Sequence, residues 1–272
     1  MSRMHDLIER GELALGTIMT THGSELVEII GYSGLDFACI DLMTTSLDWS
    51  DVAGMVLAAK RYDVTPWVRL PAYPWAGDQP NPALPAEALR ALAIGAECVM
   101  ASVNTAAGLE QLMRPMENAH RRFYVMQGRA EGTPEQARLD ALEPAHRIFP
   151  CIESRTAIEN IDAILDVPGL QQIYLGMGDL TKALGHPGED RHPEVRAIVA
   201  DIAAKARARG IVVSANTLGY RGPEGDLADR IAAGVRVLED AGVQVVLIPR
   251  PAMVVQVFYE RTLELIRPSR LS

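Results

Sequence analysis

Eight short runs rich in apolar and β-branched residues recur along the chain, each followed by a longer stretch of helical spacing. That alternation constrains the fold more than any single motif. The runs fall at about 14–19, 37–42, 66–70, 97–102, 147–153, 171–176, 211–215 and 243–249. The helical stretches fall at about 24–32, 50–62, 83–94, 105–118, 155–165, 193–209, 226–240 and 251–266. Glu25, Asp51 and Glu194 stand near the starts of three of them, where a helix favours negative charge. Parallel neighbours need a crossover, usually a helix, so eight strand–helix repeats predict a parallel sheet closed into a (β/α)8 TIM barrel. The length of 272 residues suits one such domain spanning 1–272, and no composition shift or low-complexity stretch marks a linker. A doubly wound open sheet is disfavoured, because Thr17-Ile-Met-Thr-Thr-His-Gly stands where its glycine-rich phosphate loop would follow the first strand.

Charge and composition narrow the partners. A net charge of −9 and an isoelectric point near 5.2 argue against nucleic acid. No segment offers the roughly 18 consecutive apolar residues of a membrane span. The polar start Met1-Ser-Arg-Met-His-Asp lacks the apolar core of a signal peptide, which makes the cytoplasm the expected location. Cys39, Cys98 and Cys151 all lie in apolar runs and read as reduced, buried thiols.

In such a barrel the chemistry sits at the C-terminal ends of the strands. The candidates there are Thr20, Thr21 and His22 after the first strand, Asp41 after the second and Arg69 after the third. Glu153, Asp179, Asn216 and Arg250 follow the fifth to eighth. Glu153 and Asp179 are two carboxylates at strand ends, a natural seat for a hard divalent cation and the oxygen ligand it chelates. The plainer reading of both is helix N-capping. His22 is the candidate base, and Asp41 either orients a water or caps its own turn. Cys151 is reactive only if its thiolate is stabilised. A Schiff-base route needs a lysine on a barrel strand, but Lys60 and Lys205 fall on predicted helices and Lys182 falls in the loop expected beyond Asp179.

The stretch 152–169, continued by Gly176-Met-Gly-Asp-Leu-Thr-Lys-Ala-Leu-Gly-His-Pro-Gly188 and His192-Pro-Glu-Val195, resembles the HpcH/HpaI family of pyruvate-type class II aldolases. Gly34-Leu-Asp-Phe37, Val68-Arg-Leu-Pro71 and Gly95-Ala96 extend the resemblance over nearly the whole chain. It implies a barrel of the phosphoenolpyruvate/pyruvate type and Glu153 and Asp179 as ligands of Mg²⁺ or Mn²⁺. It further implies Arg69 at the keto oxygen of a 2-oxo acid, and the N–H groups of Gly178 and Asp179 at that acid's carboxylate. A homo-oligomer, a hexamer built as a trimer of dimers that exchange the last helix, is implied as well.

Several positions depart from the family pattern. Met43 and Thr44 in Asp41-Leu-Met-Thr44 replace its Glu and catalytic His, and Ala93 replaces the aspartate partner of that His. Cys151 stands for a Gln, the arginine-tyrosine-proline-proline loop has no match around Arg121–Arg129, and Ile248-Pro-Arg-Pro251 replaces a glycine-serine-aspartate segment. Asp41, Thr44 and Cys151 are also expected to face the substrate. The expected function is a metal-dependent carbon–carbon lyase or synthase working through the enolate of pyruvate or oxaloacetate. Loss of the His/Asp dyad tilts that expectation toward decarboxylation or condensation, as in a citrate-synthase-like or decarboxylative condensing enzyme. The rival from another class is a non-catalytic protein that binds a 2-oxo acid or metal on the same scaffold.

Overall fold

The computed structural model describes residues 3–71, 81–114, 147–218 and 226–266. Eight parallel strands close into a barrel in chain order: β1 (Ala14–Met19), β2 (Phe37–Asp41), β3 (Thr65–Arg69), β4 (Cys98–Ser102), β5 (Arg147–Ile152), β6 (Gln172–Leu175), β7 (Val212–Asn216) and β8 (Val245–Ile248). Closure comes from β8 pairing with β1, with Ala14 opposite Val245. All eight lie within a residue or two of the runs read from the sequence. The loop around Arg121–Arg129 lies outside the described residues.

The helices are α1 (Arg3–Glu9), α2 (Ser24–Tyr32), α3 (Trp49–Arg61), α4 (Leu84–Ile94), α5 (Ala106–Met113), α6 (Arg155–Glu159), α7 (Ile161–Leu165), α8 (Met177–Ala183), α9 (Pro193–Ala208), α10 (Leu227–Asp240) and α11 (Pro251–Ile266). Three differ from expectation. The predicted helix 155–165 is broken at Asn160, whose side-chain amide donates to the Asn104 carbonyl at 3.0 Å. The short helices α1 and α8 were not foreseen. None of the described helices is long and apolar enough to cross a membrane.

Strand side chains alternate, so residues two apart share a face. One parity fills the barrel: Phe37, Trp67, Phe149 and Tyr174 surround one another, with the Trp67 ring 5.2, 4.8 and 5.9 Å from the other three. Gly16 on β1 makes room for this layer, since a Cβ there would lie 2.4 Å from the Phe37 carbonyl oxygen. Two or four residues further along the same strands, the same parity reaches Asp41, Arg69, Glu153 and Gly176 at the C-terminal rim. At the opposite end α1 buries Met4, whose N–H donates to the Thr65 hydroxyl at 3.3 Å.

Candidate active site

A cavity of about 210 Å³ opens at the C-terminal end of the barrel, lined in part by Asp41, Thr44, Arg69, Glu153, Gly178, Asp179 and Arg250. Register puts Asp41 beside Arg69 on adjacent strands. The guanidinium stands 3.9 Å from Asp41 and 3.5 Å from Glu153, and its Nε is buried with no hydrogen-bond partner. Burial works against the charge on Arg69, but the negative surroundings outweigh it and raise its pKa. A cation held loosely between two acids, with a donor still open, is poised for a further oxygen ligand.

Glu153 is oriented from below. The Ser102 hydroxyl donates to Oε1, and the Cys151 thiol donates to Oε2 at 3.1 Å. Cys151 is 1 % exposed and does not line the cavity, so it is not brought to a substrate-facing position; being two residues before Glu153, it sits under that carboxylate. Burial, then the charge of Glu153, pushes its pKa well up against the pull of Arg69, so it stays a thiol. Gly176 completes the cradle: a Cβ there would lie 2.8 Å from Glu153 Oε2 and 2.9 Å from its Cβ. Sequence reasoning passed over Ser102, although its place at the end of β4 is the signal that named the other rim residues.

Asp179 lies in the first turn of α8, about half exposed, with Oδ1 2.7 Å from Lys182 Nζ. Asn216 fixes the start of that helix, its side-chain oxygen accepting from the Met177 N–H at 3.0 Å and the Tyr174 hydroxyl at 2.8 Å. The Asp179 N–H is already spent on the Gly176 carbonyl at 3.1 Å. The Gly178 N–H makes no hydrogen bond among the described residues, so of the two amides expected to receive a carboxylate it is the open one.

Asp41 is buried and closes its own turn, accepting from the Met43 N–H at 2.8 Å and from the Thr44 hydroxyl. His22 is not brought to the cavity. Its ring turns toward the start of α3, with Nδ1 3.1 Å from Asp51 and Nε2 3.5 Å from the Ser46 hydroxyl, and is 57 % exposed. The catalytic role expected of His22 therefore finds no support in its position, because the Asp51 carboxylate draws the ring away from the cavity.

The donor set fits a hard divalent cation: two carboxylates following adjacent strands, β5 and β6, line one cavity, and Gly176 leaves Glu153 its space there. A second grouping of ligand types, His186, Glu189 and His192, lies outside that lining. There Glu194 already takes one nitrogen of each ring, meeting His186 Nε2 at 2.9 Å and donating its N–H to His192 Nδ1 at 3.3 Å.

A (β/α)8 barrel whose C-terminal rim gathers carboxylates and an arginine around one cavity carries its site where enzymes of this fold carry theirs. Residues 24–236 match the HpcH/HpaI aldolase/citrate lyase family, and the chain belongs to that family. The 2-dehydro-3,6-dideoxy-6-sulfogluconate aldolase of Pseudomonas putida is 26 % identical over 212 residues, covering 76 % of this chain and 79 % of its own. The hydroxypyruvate/pyruvate aldolase of Roseobacter denitrificans is 28 % identical over 202 residues, covering 71 % and 73 %. Among solved structures, the HpcH/HpaI aldolase of Desulfitobacterium hafniense superposes with a TM-score of 0.76 at 21 % identity, covering 98 % of this chain and 97 % of that one. Curated relatives that are aldolases support a lyase in general terms.

Proposed function

We propose that the cavity takes Mg²⁺ or Mn²⁺ on Glu153 and Asp179 together with a small 2-oxo acid such as pyruvate or oxaloacetate. The protein then makes or breaks a carbon–carbon bond through that acid's enolate. The observation that carries this reading is the meeting, in one cavity, of two strand-end carboxylates with a buried guanidinium that retains an unpartnered donor. When bound, the cation supplies Lewis-acid polarisation of the keto oxygen. Arg69 donates to the same oxygen and is attracted more strongly as charge develops there, which is what accelerates the step rather than merely binding substrate. The Gly178 N–H receives the carboxylate next to the keto group. Asp41, locked by Met43 and Thr44, holds Arg69 in place, and Ser102 and Cys151 hold Glu153.

Decarboxylation of oxaloacetate is the reaction this set serves best. The bond from C3 to the departing carboxylate breaks, its electron pair becomes the C2–C3 double bond, and the keto oxygen takes the charge as carbon dioxide leaves. No proton has to be removed from carbon. Aldol cleavage also needs an acceptor for the hydroxyl proton, a contribution typically worth about 10²–10⁴ in rate. Among the described residues no histidine lines the cavity, the Thr44 hydroxyl is committed to Asp41, and Ala93 is an exposed residue of α4. Condensation of the same enolate with a second carbonyl compound is the alternative that shares this economy of bases.

Side-by-side initial rates on oxaloacetate and on a 4-hydroxy-2-oxo acid, with Mg²⁺ or Mn²⁺, test the reading. Faster decarboxylation, unaltered by His22→Ala, is expected. Vigorous cleavage matching or exceeding decarboxylation contradicts it, and binding without turnover of either substrate favours the non-catalytic rival. A homo-oligomer is part of the same proposal. Helix α11 has no buried residue and exposes Val255, Phe258, Tyr259, Leu263, Leu265 and Ile266, which supports an exchanged helix covered by another copy of the chain.

A further inference from the structure

Away from the cavity, the loop between α8 and α9 brings His186, Glu189 and His192 together, each offering a ligand atom within 4.8 Å of the other two. The backbone forces the meeting. The Glu189 N–H donates to the His186 carbonyl and the His192 N–H to the Glu189 carbonyl, each at 3.0 Å. Successive turns of this kind stack side chains three residues apart on one side. The imidazoles of His186 and His192 accordingly lie ring on ring, with centroids 3.5 Å apart and planes 18° from parallel.

The loop is held by contacts that need no ion. The His186 N–H donates to the Thr181 carbonyl at 2.8 Å, the Gly188 N–H to the Thr181 hydroxyl at 3.0 Å, and the Asp190 carboxylate accepts from the Leu218 N–H at 3.2 Å. Thr181 is buried, so the loop is tied to the packed side of α8, the helix that carries Asp179. A ligand set ordered in advance loses little freedom when it binds.

Protons decide which nitrogens are open. An ionised carboxylate only accepts, so the 2.9 Å contact of His186 Nε2 with Glu194 puts the ring proton on Nε2 and leaves the Nδ1 lone pair available. A histidine fixed by a carboxylate on one nitrogen and open on the other is the usual arrangement of a metal ligand. His192 accepts the Glu194 N–H at Nδ1, so its proton stands on Nε2, and it must release that bond before it offers a lone pair. At 3.3 Å the bond lies beyond the usual range for an N–H donor and is weak. The N-terminus of α9 disfavours a cation, but Glu189 and Glu194 set two carboxylates close to it.

We propose that His186, Glu189 and His192 form a second cation site, apart from the barrel rim, for a transition ion of the Zn²⁺, Ni²⁺ or Cu²⁺ class. Two imidazoles and a carboxylate suit such ions, whereas Mg²⁺ prefers oxygen alone. Both rings are partly exposed and Glu189 is exposed, so the ion enters from solvent, and water fills the positions the three side chains leave. The bound ion braces the loop against α8. The inference does not depend on the function proposed above.

The test is calorimetric titration of Zn²⁺ into the untagged full chain in saturating Mg²⁺, for the parent and for His186→Ala, Glu189→Gln, Glu153→Gln and His22→Ala. The parent is expected to take up one Zn²⁺ per chain, and its melting temperature to rise with Zn²⁺ because the ion binds the folded state. His186→Ala should weaken uptake by about a hundredfold and Glu189→Gln by about tenfold, the scale on which lost support weakens a metal site, and the thermal rise should shrink with it. Glu153→Gln, on the rim, and His22→Ala, an exposed imidazole beside Asp51, should leave the Zn²⁺ affinity unchanged. A parent that takes up no Zn²⁺ overturns the site, and so does uptake that survives both His186→Ala and Glu189→Gln. Uptake lost in Glu153→Gln or His22→Ala places the ion on the rim or beside Asp51 and overturns it equally.

Discussion

Strand β2 has a buried aspartate at each end, and the two are treated in opposite ways. Asp36, just before the strand, is fully matched: Oδ2 accepts from the Leu15 N–H at 2.8 Å and Oδ1 lies 2.7 Å from Arg3 Nε, while the same arginine also donates to the Gly34 carbonyl at 3.1 Å. Asp41, at the other end, faces Arg69 at 3.9 Å across to Glu153 at 3.5 Å, and the guanidinium keeps a buried donor without a partner. An unmet donor costs stability, and in the proposed reading a 2-oxo acid meets this one. In that reading Asp36 marks a closed pole, where the chain's own groups meet the carboxylate, and Asp41 with Arg69 marks an open pole that the proposed ligand would complete.

Substitutions at the open pole should therefore damage binding and chemistry, and those at the closed pole should damage only stability. The largest effect is expected at Arg69. Arg69→Lys keeps the charge but loses the planar fork, and turnover of oxaloacetate should fall by about 10²–10³, the scale of removing one donor to a developing oxyanion, with little change in melting temperature. A steady-state comparison in which the variant equals the parent would remove Arg69 from the chemistry.

Gly176→Ala should come next and affect both properties. The added Cβ meets the Cβ of Glu153, which cannot swing aside as its carboxylate can, so the backbone must give. Overpacking of this kind costs about 1–3 kcal/mol, and displacement of Glu153 should weaken Mn²⁺ binding about ten- to a hundredfold, as loss of an orienting partner does. Unchanged Mn²⁺ affinity together with a lowered melting temperature would show that the cradle is structural only.

The smallest effect belongs to the closed pole. Burial raises the pKa of Asp36, against the pull of the Leu15 N–H and Arg3. A carboxyl so raised is protonated in the folded chain before the unfolded one, so it adds stability as pH falls toward the ordinary value of 3.8 and loses it as pH rises through the folded pKa. Asp36→Asn removes that titration. Relative to the parent, its melting temperature should be higher at neutral pH than near about pH 4, within a span of about 2–4 °C, and its turnover should match the parent at both. A change in turnover would blur the distinction between the poles.

The barrel was legible because its signal is local and repeated: period-two strands and helical stretches survive small errors at their ends. The rim was legible in the same way, since strand ends name Asp41, Arg69, Glu153, Asp179 and Arg250. What escaped depends on contacts distant in sequence. Helix α8 begins at Gly176-Met-Gly178, which reads as a turn, and it forms where Asn216 caps the Met177 N–H from 39 residues away. The break at Asn160 hangs on Asn104 in the same manner. His22 precedes a helix by two residues in the sequence, but only the packed loop shows that its ring meets Asp51 and Ser46. Cys151 was readable in principle, because alternation places it beneath Glu153 rather than beside a ligand.

The comparison of the poles rests on one claim, that Glu153 and Asp179 complete the open end by holding a divalent cation that meets a 2-oxo acid. Titration with Mn²⁺, followed through the paramagnetic resonance signal of the free ion with and without pyruvate, tests it most directly. The parent should bind the ion at a single site per chain that responds to pyruvate, and Glu153→Gln should lose both the affinity, by tenfold or more, and the response. Equal affinity and an equal pyruvate response in Glu153→Gln would place the ion elsewhere and contradict the account.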